Sequence, residues 1–171
     1  MTKIFGICGW SGSGKTDLVC RLINYYVKKK LIVSTIKHTH HNFQIDKNDK
    51  DSFKHRLNGA HEVIIGGGNN FALIHTGIRK IDYDLSNLKK KLSKSNDLIL
   101  VEGFKKKNIP KVEVFNSNLK KDMLWPDNKN IKALVYDRYH ANLENCKLPK
   151  FKFEETKRIA NFIANFLKIS L

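Results

Sequence analysis

Residues 9–16 of the chain read GWSGSGKT, and this segment is the strongest indication of the fold class. It satisfies the pattern G-x-x-x-x-G-K-[ST] of a phosphate-binding loop, or P-loop. The apolar run KIFGIC (3–8) before it suits a buried strand, and DLVCRLINYYVKKK (17–30) after it carries apolar residues at helical spacing. Because strand, glycine-rich loop and helix follow one another in this order, the stretch predicts a nucleotide-binding site.

The residue types in the loop supply the chemistry. Glycines let backbone N–H groups converge on phosphate oxygens, and the helix that follows adds the positive end of its dipole. Lys15 is expected to reach the β- and γ-phosphates, and the Thr16 hydroxyl is expected to bind Mg²⁺. The predicted nucleotide-binding residues of the loop are Gly9, Trp10, Ser11, Gly12, Ser13, Gly14, Lys15 and Thr16.

Strands alternate with helices along the rest of the chain, which predicts an α/β fold with a mainly parallel sheet and helices on both faces. A short GGGN connection between HEVIIGGG (61–68) and FALIH (71–75) favours an antiparallel hairpin. KVEVF (111–115) alternates like an edge strand, which could extend a sheet across a dimer. The other predicted strands are 31–37, 97–104, 131–137 and 149–153, and the other predicted helices are 52–60, 84–95 and 153–168.

Length and composition bound the class of protein. The 171 residues, 41% apolar and 28% charged, are typical of a globular domain, and we expect a single P-loop domain over residues 1–171. No apolar run approaches the ~20 residues needed to span a bilayer, and MTKIFGICGW does not resemble a signal peptide. The expected location is therefore the cytoplasm, without a membrane partner. The three cysteines form no CxxC pair and are expected to be buried or inert.

The formal net charge of +16 indicates anionic partners. The basic residues are 27 lysines and only 5 arginines, and aromatic residues are not interleaved with them. Nucleic-acid readers rely on arginine forks and stacked aromatic rings, so nucleic acid is not the expected partner. A field of lysines still attracts polyphosphates.

An acidic residue at the end of a hydrophobic strand is the second half of a P-loop site. DLILVEGF (97–104) supplies Glu102 at that place. A carboxylate there can hold Mg²⁺ directly or through water. Thr16 and Glu102 are therefore the predicted metal ligands, and Glu102 is also a candidate catalytic residue.

The segment IKHTHHNFQI (36–45) follows the second strand and carries three histidines, His38, His40 and His41. They could bind a metal, they could be solvated, or they could line the active edge of the sheet. The spacing is awkward for a metal, because His38 and His40 would share one face of an extended segment and His41 would not. We favour the third interpretation, since ligands of open α/β sheets bind at the carboxyl ends of the strands. Lys37, His38 and His41 would then contact anions.

The motifs together resemble a known family. GWSGSGKT, IKHTHHNFQID, KDSFKHRLNGA, DLILVEGFK and IPKVEV occur in the order found in the molybdopterin-guanine dinucleotide biosynthesis protein B family, MobB. They span residues 3 to about 115 and are specific jointly rather than singly. This chain departs from the family pattern Asp-x-x-Gly-Lys-Asp-Ser at one position, where Asp49 replaces the glycine.

The resemblance implies a GTP-binding protein that uses Mg²⁺, hydrolyses GTP weakly and assists MobA, the guanylyltransferase that joins GMP to molybdopterin. It also implies a homodimer and a site at which molybdopterin itself could bind. Asp137, at the end of IKALVYD, could meet the guanine edge, although the chain has no clear NKxD motif. Asp46 is the candidate residue that positions the attacking water.

Two other classes of protein share part of this pattern. A P-loop small-molecule kinase would carry an arginine-rich lid, whereas the five arginines here are dispersed. A nickel-insertion metallochaperone GTPase is suggested by the histidines, but the Cys-Pro-His motif and the histidine-rich N-terminus of that class are missing.

Overall fold

The computed structural model describes residues 2–39, 43, 45–48, 50–77 and 83–171. The chain divides into two compact units, one formed by Met1–His38 with Leu85–Leu171 and the other by Thr39–Asp84. His40, His41 and Asp49, which entered the sequence predictions, lie outside the described residues. The expectation of a single domain stays a prediction.

The larger unit contains a six-stranded sheet in which every neighbouring pair is parallel. In spatial order the strands are β2, β5, β1, β6, β7 and β8. This arrangement confirms the predicted α/β fold with a mainly parallel sheet. The strands of this sheet are β1 (Lys3–Cys8), β2 (Val33–Lys37), β5 (Leu98–Glu102), β6 (Lys111–Phe115), β7 (Ile131–Tyr136) and β8 (Lys150–Lys152).

Apolar side chains cover both faces of the central strands, as the near-continuous apolar sequences predict. Within β5, Leu98 and Leu100 belong to one core cluster, and Ile99 and Val101 belong to another. Successive residues of a strand point to opposite faces, so the two clusters lie on opposite sides of the sheet. Burial of these side chains on both faces stabilises the sheet, by roughly 1.5–3 kcal/mol for each fully buried side chain.

Helices cover each face. On the first face lie α1 (Lys15–Lys28) and α4 (Thr156–Leu167), whose apolar stripes join the same core cluster. Tyr26 of α1 links the two helices, because its hydroxyl donates a hydrogen bond of 2.9 Å to the carbonyl oxygen of Ala160. On the second face, Leu85 of the short helix α3 (Leu85–Lys89) packs against Ile99 and Val101.

Two sequence predictions about this unit were wrong. KVEVF is not an edge strand: β6 pairs with β1 on one side and β7 on the other, so its backbone cannot extend a sheet into a second molecule. The helix predicted over 84–95 ends at Lys89. Its continuation contains serines whose side chains compete with the helical backbone, and the Ser93 hydroxyl oxygen accepts from the Ser95 N–H.

The smaller unit holds α2 (Asp51–Leu57) and an antiparallel pair, β3 (Glu62–Gly67) with β4 (Asn70–His75), which confirms the predicted hairpin. Gly59 follows α2 with φ +96°, a conformation that favours glycine after a helix. The hydroxyl of Ser52, the second residue of α2, donates to the Asp46 carboxylate at 2.8 Å. Within the described ranges, no helix is long and apolar enough to cross a bilayer.

The cysteines are free thiols, and two of them, Cys8 and Cys146, are buried as expected. Burial and the nearby Glu113 carboxylate raise the pKa of the Cys8 thiol to about 12, which keeps it protonated and inert. Cys20 is exposed on α1, and its expected inertness stays a prediction.

Glu113 in the middle of β6 is fully buried and accepts hydrogen bonds from the backbone N–H groups of Leu124 (2.7 Å) and Trp125 (2.9 Å). Burial raises the pKa of its carboxyl group above the ordinary 4.5, and the two hydrogen bonds oppose that rise. An acid with a raised pKa in the folded state binds its proton more tightly when folded. The protonated Glu113 carboxyl group therefore contributes fully to the free energy of unfolding below the unfolded-state pKa, and this contribution is lost as pH rises through the folded-state pKa.

We therefore predict that the free energy of unfolding of the wild type, minus that of Glu113→Gln, decreases as pH rises above 4.5. Urea unfolding of both proteins over a pH series measures this difference. Glu154→Gln, on an exposed residue, is the matched control for loss of a carboxylate. A difference that grows with rising pH would contradict the prediction.

Candidate functional site

Two glycines in the loop between β1 and α1 leave no space for a side chain. Gly9 has φ +147°, and a Cβ atom there would lie 2.4 Å from the carbonyl oxygen of Val114. Gly14 has φ +95°, and a Cβ atom there would lie 2.9 Å from the Phe153 ring. Both positions combine a left-handed backbone with close packing, so they require glycine. The loop is thereby held in a fixed conformation against β6 and the segment after β8.

The N-terminus of α1 has the features of an anion site. Gly14 is its N-cap, and no side chain among the described residues caps the first turn of the helix. Unsatisfied N–H groups and the helix dipole at such an end attract negative charge. The Ser13 hydroxyl is buried and has no hydrogen-bond partner among the described residues. A phosphate oxygen would satisfy both the N–H groups and this hydroxyl, so the loop fits a polyphosphate.

Lys15 is the cationic member of the loop. Its ammonium group donates a 2.6 Å hydrogen bond to the carbonyl oxygen of Trp10, which holds the side chain over the loop. Burial lowers the pKa of Lys15, and the Glu102 carboxylate opposes that shift. A partly desolvated ammonium group interacts more strongly with an incoming anion than a fully hydrated one.

Thr16, Glu102 and Lys37 meet in one polar cluster, as a result of the strand order. The Thr16 hydroxyl donates to Glu102 Oε1 at 2.8 Å, and Lys37 Nζ lies 3.2 Å from the same oxygen. Lys37 Nζ also lies 3.3 Å from Thr16 Oγ1. Because β5 lies between β1 and β2, the P-loop, Glu102 and Lys37 share one edge of the sheet. The hydroxyl and the carboxylate offer the oxygen ligands that Mg²⁺ prefers.

The first histidine of the sequence motif lies beside this cluster. The His38 N–H donates to the carbonyl oxygen of Glu102 at 3.0 Å, which extends the β2–β5 ladder by one residue. The imidazole packs on Phe104, with ring centroids 4.5 Å apart. A Cβ atom at Gly103 would lie 3.2 Å from the Cβ of His38, so the two segments approach closely. His38 therefore lies at the predicted edge, with its ring against an aromatic neighbour.

Sequence reasoning missed two lysines, one in the segment after β5 and one on β6. Lys105, in that segment, has its ammonium group 3.9 Å from the centre of the Trp10 ring in the P-loop. Lys111 of β6 is fully buried, and its ammonium group donates to the carbonyl oxygens of Phe104, Lys105 and Lys107. Burial lowers the pKa of Lys111. It anchors the segment that brings Lys105 to the loop.

The only signal for these roles in the sequence was weak. Lys111 is a polar residue of a strand in which polar and apolar residues alternate. Such a residue is predicted to face solvent unless both neighbouring strands are known. Lys105 belongs to a lysine triplet, 105–107, in which nothing distinguishes one member from the others.

Asp137 follows β7 at the same edge of the sheet. Its two carboxylate oxygens accept from the Ser117 N–H (3.1 Å) and the Ser117 hydroxyl (2.9 Å). Burial alone would raise the pKa of Asp137, but hydrogen bonds from Ser117 and from the Arg138 backbone hold it below its ordinary value. Ser117 begins a short 3-10 helix, Ser117–Leu119, and a Cβ at Gly12 would lie 3.5 Å from Leu119. Asp137 thus fixes a turn that borders the P-loop.

Asp46 belongs to the smaller unit, where it accepts the Ser52 hydroxyl and lies 3.6 Å from Arg56 Nη1. These contacts hold the segment before α2. His41, the last predicted anion contact, is outside the described residues. The roles assigned from the sequence to Asp46, His41 and Asp137 stay predictions.

The parallel sheet with a glycine-rich loop at the end of its β1 strand defines a P-loop NTPase fold. A family model described as molybdopterin guanine dinucleotide synthesis protein B, MobB, matches residues 4–137. A relative from Haemophilus influenzae, a molybdopterin-guanine dinucleotide biosynthesis adapter protein, is 33% identical over 166 residues, which cover 96% of this chain and 89% of the relative. The chain belongs to the MobB family.

Further comparisons agree. An adapter protein of the same description from Escherichia coli K12 is 37% identical over 116 residues, 67% of this chain and 66% of that protein. A crystal structure of a molybdopterin-guanine biosynthesis protein B superposes with a TM-score of 0.72 at 27% identity and covers 96% of this chain and 99% of that one. The fold is therefore shared over nearly the whole chain.

The role of Lys111 can be tested by removing its charge. Lys111→Met keeps the length of the side chain but removes the donor from three carbonyl oxygens, one in a buried contact and two in partly buried ones. We therefore expect a loss of about 2–3 kcal/mol in the free energy of unfolding. Hydrogen exchange should accelerate at residues 104–107. Lys132→Met is the control, because Lys132 Nζ donates to a single carbonyl oxygen, that of Lys129, at an exposed position. Equal losses in the two variants would refute an anchoring role.

Proposed function

We propose that this chain binds GTP with Mg²⁺ at the P-loop, hydrolyses it slowly, and acts as an adapter for a MobA-type guanylyltransferase in the cytoplasm. The observation that carries the proposal is the cluster of Thr16, Glu102 and Lys37 beside an uncapped helix N-terminus. Oxygen ligands for a hard cation and N–H donors for phosphates lie there at one edge of the sheet. Membership in the MobB family supports the adapter role.

Each residue of the loop has a defined task in this proposal. The N–H groups of residues 9–16 and the Ser13 hydroxyl surround the phosphates, and Lys15 exchanges its bond to the Trp10 carbonyl oxygen for phosphate oxygens. Lys105 lies against the Trp10 ring and adds a second positive charge beside the loop. Cations beside the phosphates stabilise the charge that develops on the phosphoryl oxygens.

The Thr16 hydroxyl and the Glu102 carboxylate would hold Mg²⁺, Glu102 directly or through water. When bound, the ion neutralises charge on the phosphates and orients them. The ammonium group of Lys37 pairs with Glu102 in this structure, and the Lys37 side chain is 59% exposed. When a divalent ion binds Glu102 in place of the ammonium group, Lys37 can turn from the carboxylate to a phosphate oxygen. Asp46 and His41 remain candidates for positioning water and anions, and Asp137 for contacting guanine.

The description of the relatives as adapters fits a slow enzyme better than a fast one. A weak GTPase needs only bound phosphates, Mg²⁺ and a placed water. The arginines on the described helices of the larger unit are occupied elsewhere: Arg21 pairs with Asp17 and Arg158 with Glu155. These contacts do not favour a small-molecule kinase, which needs arginines directed at the transferred phosphate. Assembly as a homodimer and binding of molybdopterin belong to the same proposal.

Nucleotide titration tests the site. With Mg²⁺ present, we expect GTP to bind more tightly than ATP and Lys15→Ala to weaken GTP binding by at least about 100-fold, because charge-assisted hydrogen bonds contribute about 3 kcal/mol. Calorimetry with and without Mg²⁺ measures both effects. Lys132→Met, which removes a lysine at the opposite end of the sheet, should bind GTP like the wild type. Equal affinity for ATP would refute the guanine assignment, and unchanged binding by Lys15→Ala would refute the P-loop site.

A guanylation assay tests the adapter role. Wild-type protein added to the MobA-type transferase of the same organism should raise the rate of molybdopterin-guanine dinucleotide formation several-fold, whereas Lys15→Ala should not. Product formation is followed with molybdopterin and GTP as substrates. Stimulation by Lys15→Ala equal to that of the wild type would show that the adapter role does not use this site, and no stimulation by the wild type would refute the role itself.

A further inference from the structure

The open end of the β3–β4 hairpin brings together three side chains that have no part in the nucleotide site. Glu62 is paired directly with His75 across the hairpin. The Thr76 N–H donates to the His61 carbonyl oxygen at 2.9 Å, so the neighbouring pair, residues 61 and 76, is the hydrogen-bonded one. In an antiparallel ladder the next pair is not hydrogen-bonded, and its side chains approach most closely. Glu62 and His75 occupy that pair.

The side chains of this pair are in contact, and a third joins them. His75 Nδ1 lies 2.7 Å from Glu62 Oε1. The His61 ring packs on the His75 ring, with centroids 4.5 Å apart. One ligand atom from each of the three residues lies within 4.8 Å of the other two. Tyr83 packs edge-on against His75, with ring centroids 5.7 Å apart, and limits the rotation of that imidazole.

We propose that His61, Glu62 and His75 bind one divalent transition-metal ion, of which zinc is the best match. Two imidazole nitrogens with one carboxylate oxygen form a donor set that zinc accepts in three-ligand sites, where a water takes the fourth position. The ligand atoms of a tetrahedral zinc site, at about 2.0–2.2 Å from the ion, are roughly 3.3–3.5 Å apart. Small side-chain rotations from the separations seen here reach that spacing.

The site is also accessible. The side chains of His75 and Glu62 are 29% and 46% exposed, so an ion can enter from solvent and keep a water ligand. Binding replaces the contact between His75 Nδ1 and Glu62 Oε1 with a bond from each residue to the ion. Since the ligands come from the start of β3 and the end of β4, the ion would clamp the open end of the hairpin.

This is a different site from the one that the histidine motif suggested. His38 of that motif packs on Phe104 beside the P-loop. Among the described residues, His61, Glu62 and His75 are the one group of three metal-ligating side chains whose donor atoms lie this close together. His61 and His75 are 14 positions apart in the chain. The pairing register of the two strands brings them together, and their spacing in the sequence does not.

Zinc titration of the full-length protein, after dialysis against a chelator, tests the proposal. We expect one zinc ion per chain at the highest-affinity site. Single substitutions His61→Ala and His75→Ala should each weaken that binding by about tenfold or more, since loss of one of three ligands costs at least as much as loss of a supporting partner. The double variant should lose the site. His55→Ala, on an exposed histidine of α2, is the matched control and should bind like the wild type.

Hydrogen exchange distinguishes a metal site from a contact of His75 with Glu62 that binds no metal. Zinc should slow exchange of backbone amides in residues 62–75 of the wild type and leave the double variant unchanged. Retention of stoichiometric, high-affinity zinc in the double variant would overturn the proposal, as would its loss in a His38→Ala, His40→Ala, His41→Ala triple variant instead. Failure of the wild type to bind zinc, nickel or cobalt would overturn it as well.

Discussion

The site depends on the meeting of three parallel strands at one edge. Two backbone hydrogen bonds continue the ladders beyond the ends of the strands: Gly103 donates to Ile7 and His38 donates to Glu102, each at 3.0 Å. The first bond ties the segment after β5 to β1, the strand that carries the P-loop, and the second ties the segment after β2 to β5. Glu102 is therefore held beside Thr16 by the main chain and not by side-chain contacts alone. A phosphate loop and a carboxylate from distant parts of the sequence share one cluster for that reason.

Buried charge supports this edge from the interior. Lys111 and Glu113 both lie on β6, a strand enclosed by β1 and β7, and each is fully buried. Each also has several backbone partners, so the cost of removing charge from water is offset by hydrogen bonds. Lys111 holds the segment that presents Lys105, and Glu113 holds the backbone at Leu124 and Trp125. The Trp10 indole N–H donates to the nearby carbonyl oxygen of Asp122 at 2.7 Å.

The smaller unit is stabilised by different contacts from those of the larger unit. Its hairpin exposes large apolar side chains, among them Phe71 at 77% and Ile64 at 69%, so little of its stability comes from a core of its own. Directional contacts take a larger share: the cross-strand contact of His75 Nδ1 with Glu62 Oε1, and the hydrogen bond that Ser52 donates to Asp46. A metal clamp at the open end of the hairpin would add to contacts of that kind.

Local spacing was enough to predict the P-loop, the α/β alternation, the hairpin and the place of Glu102 at the end of a strand. Each of these depends on a glycine pattern, a helical or strand period, or an acidic residue that ends an apolar run. The order of the strands depends on contacts between distant segments and is visible only in the folded chain. Because of this strand order, KVEVF lies in the middle of the sheet and not at its edge, and Lys111 and Glu113 are buried. Lys105 packs against the Trp10 ring for the same reason. These contacts join residues far apart in the chain, and a single alternating strand looks the same at an edge as in a centre until its neighbours are known.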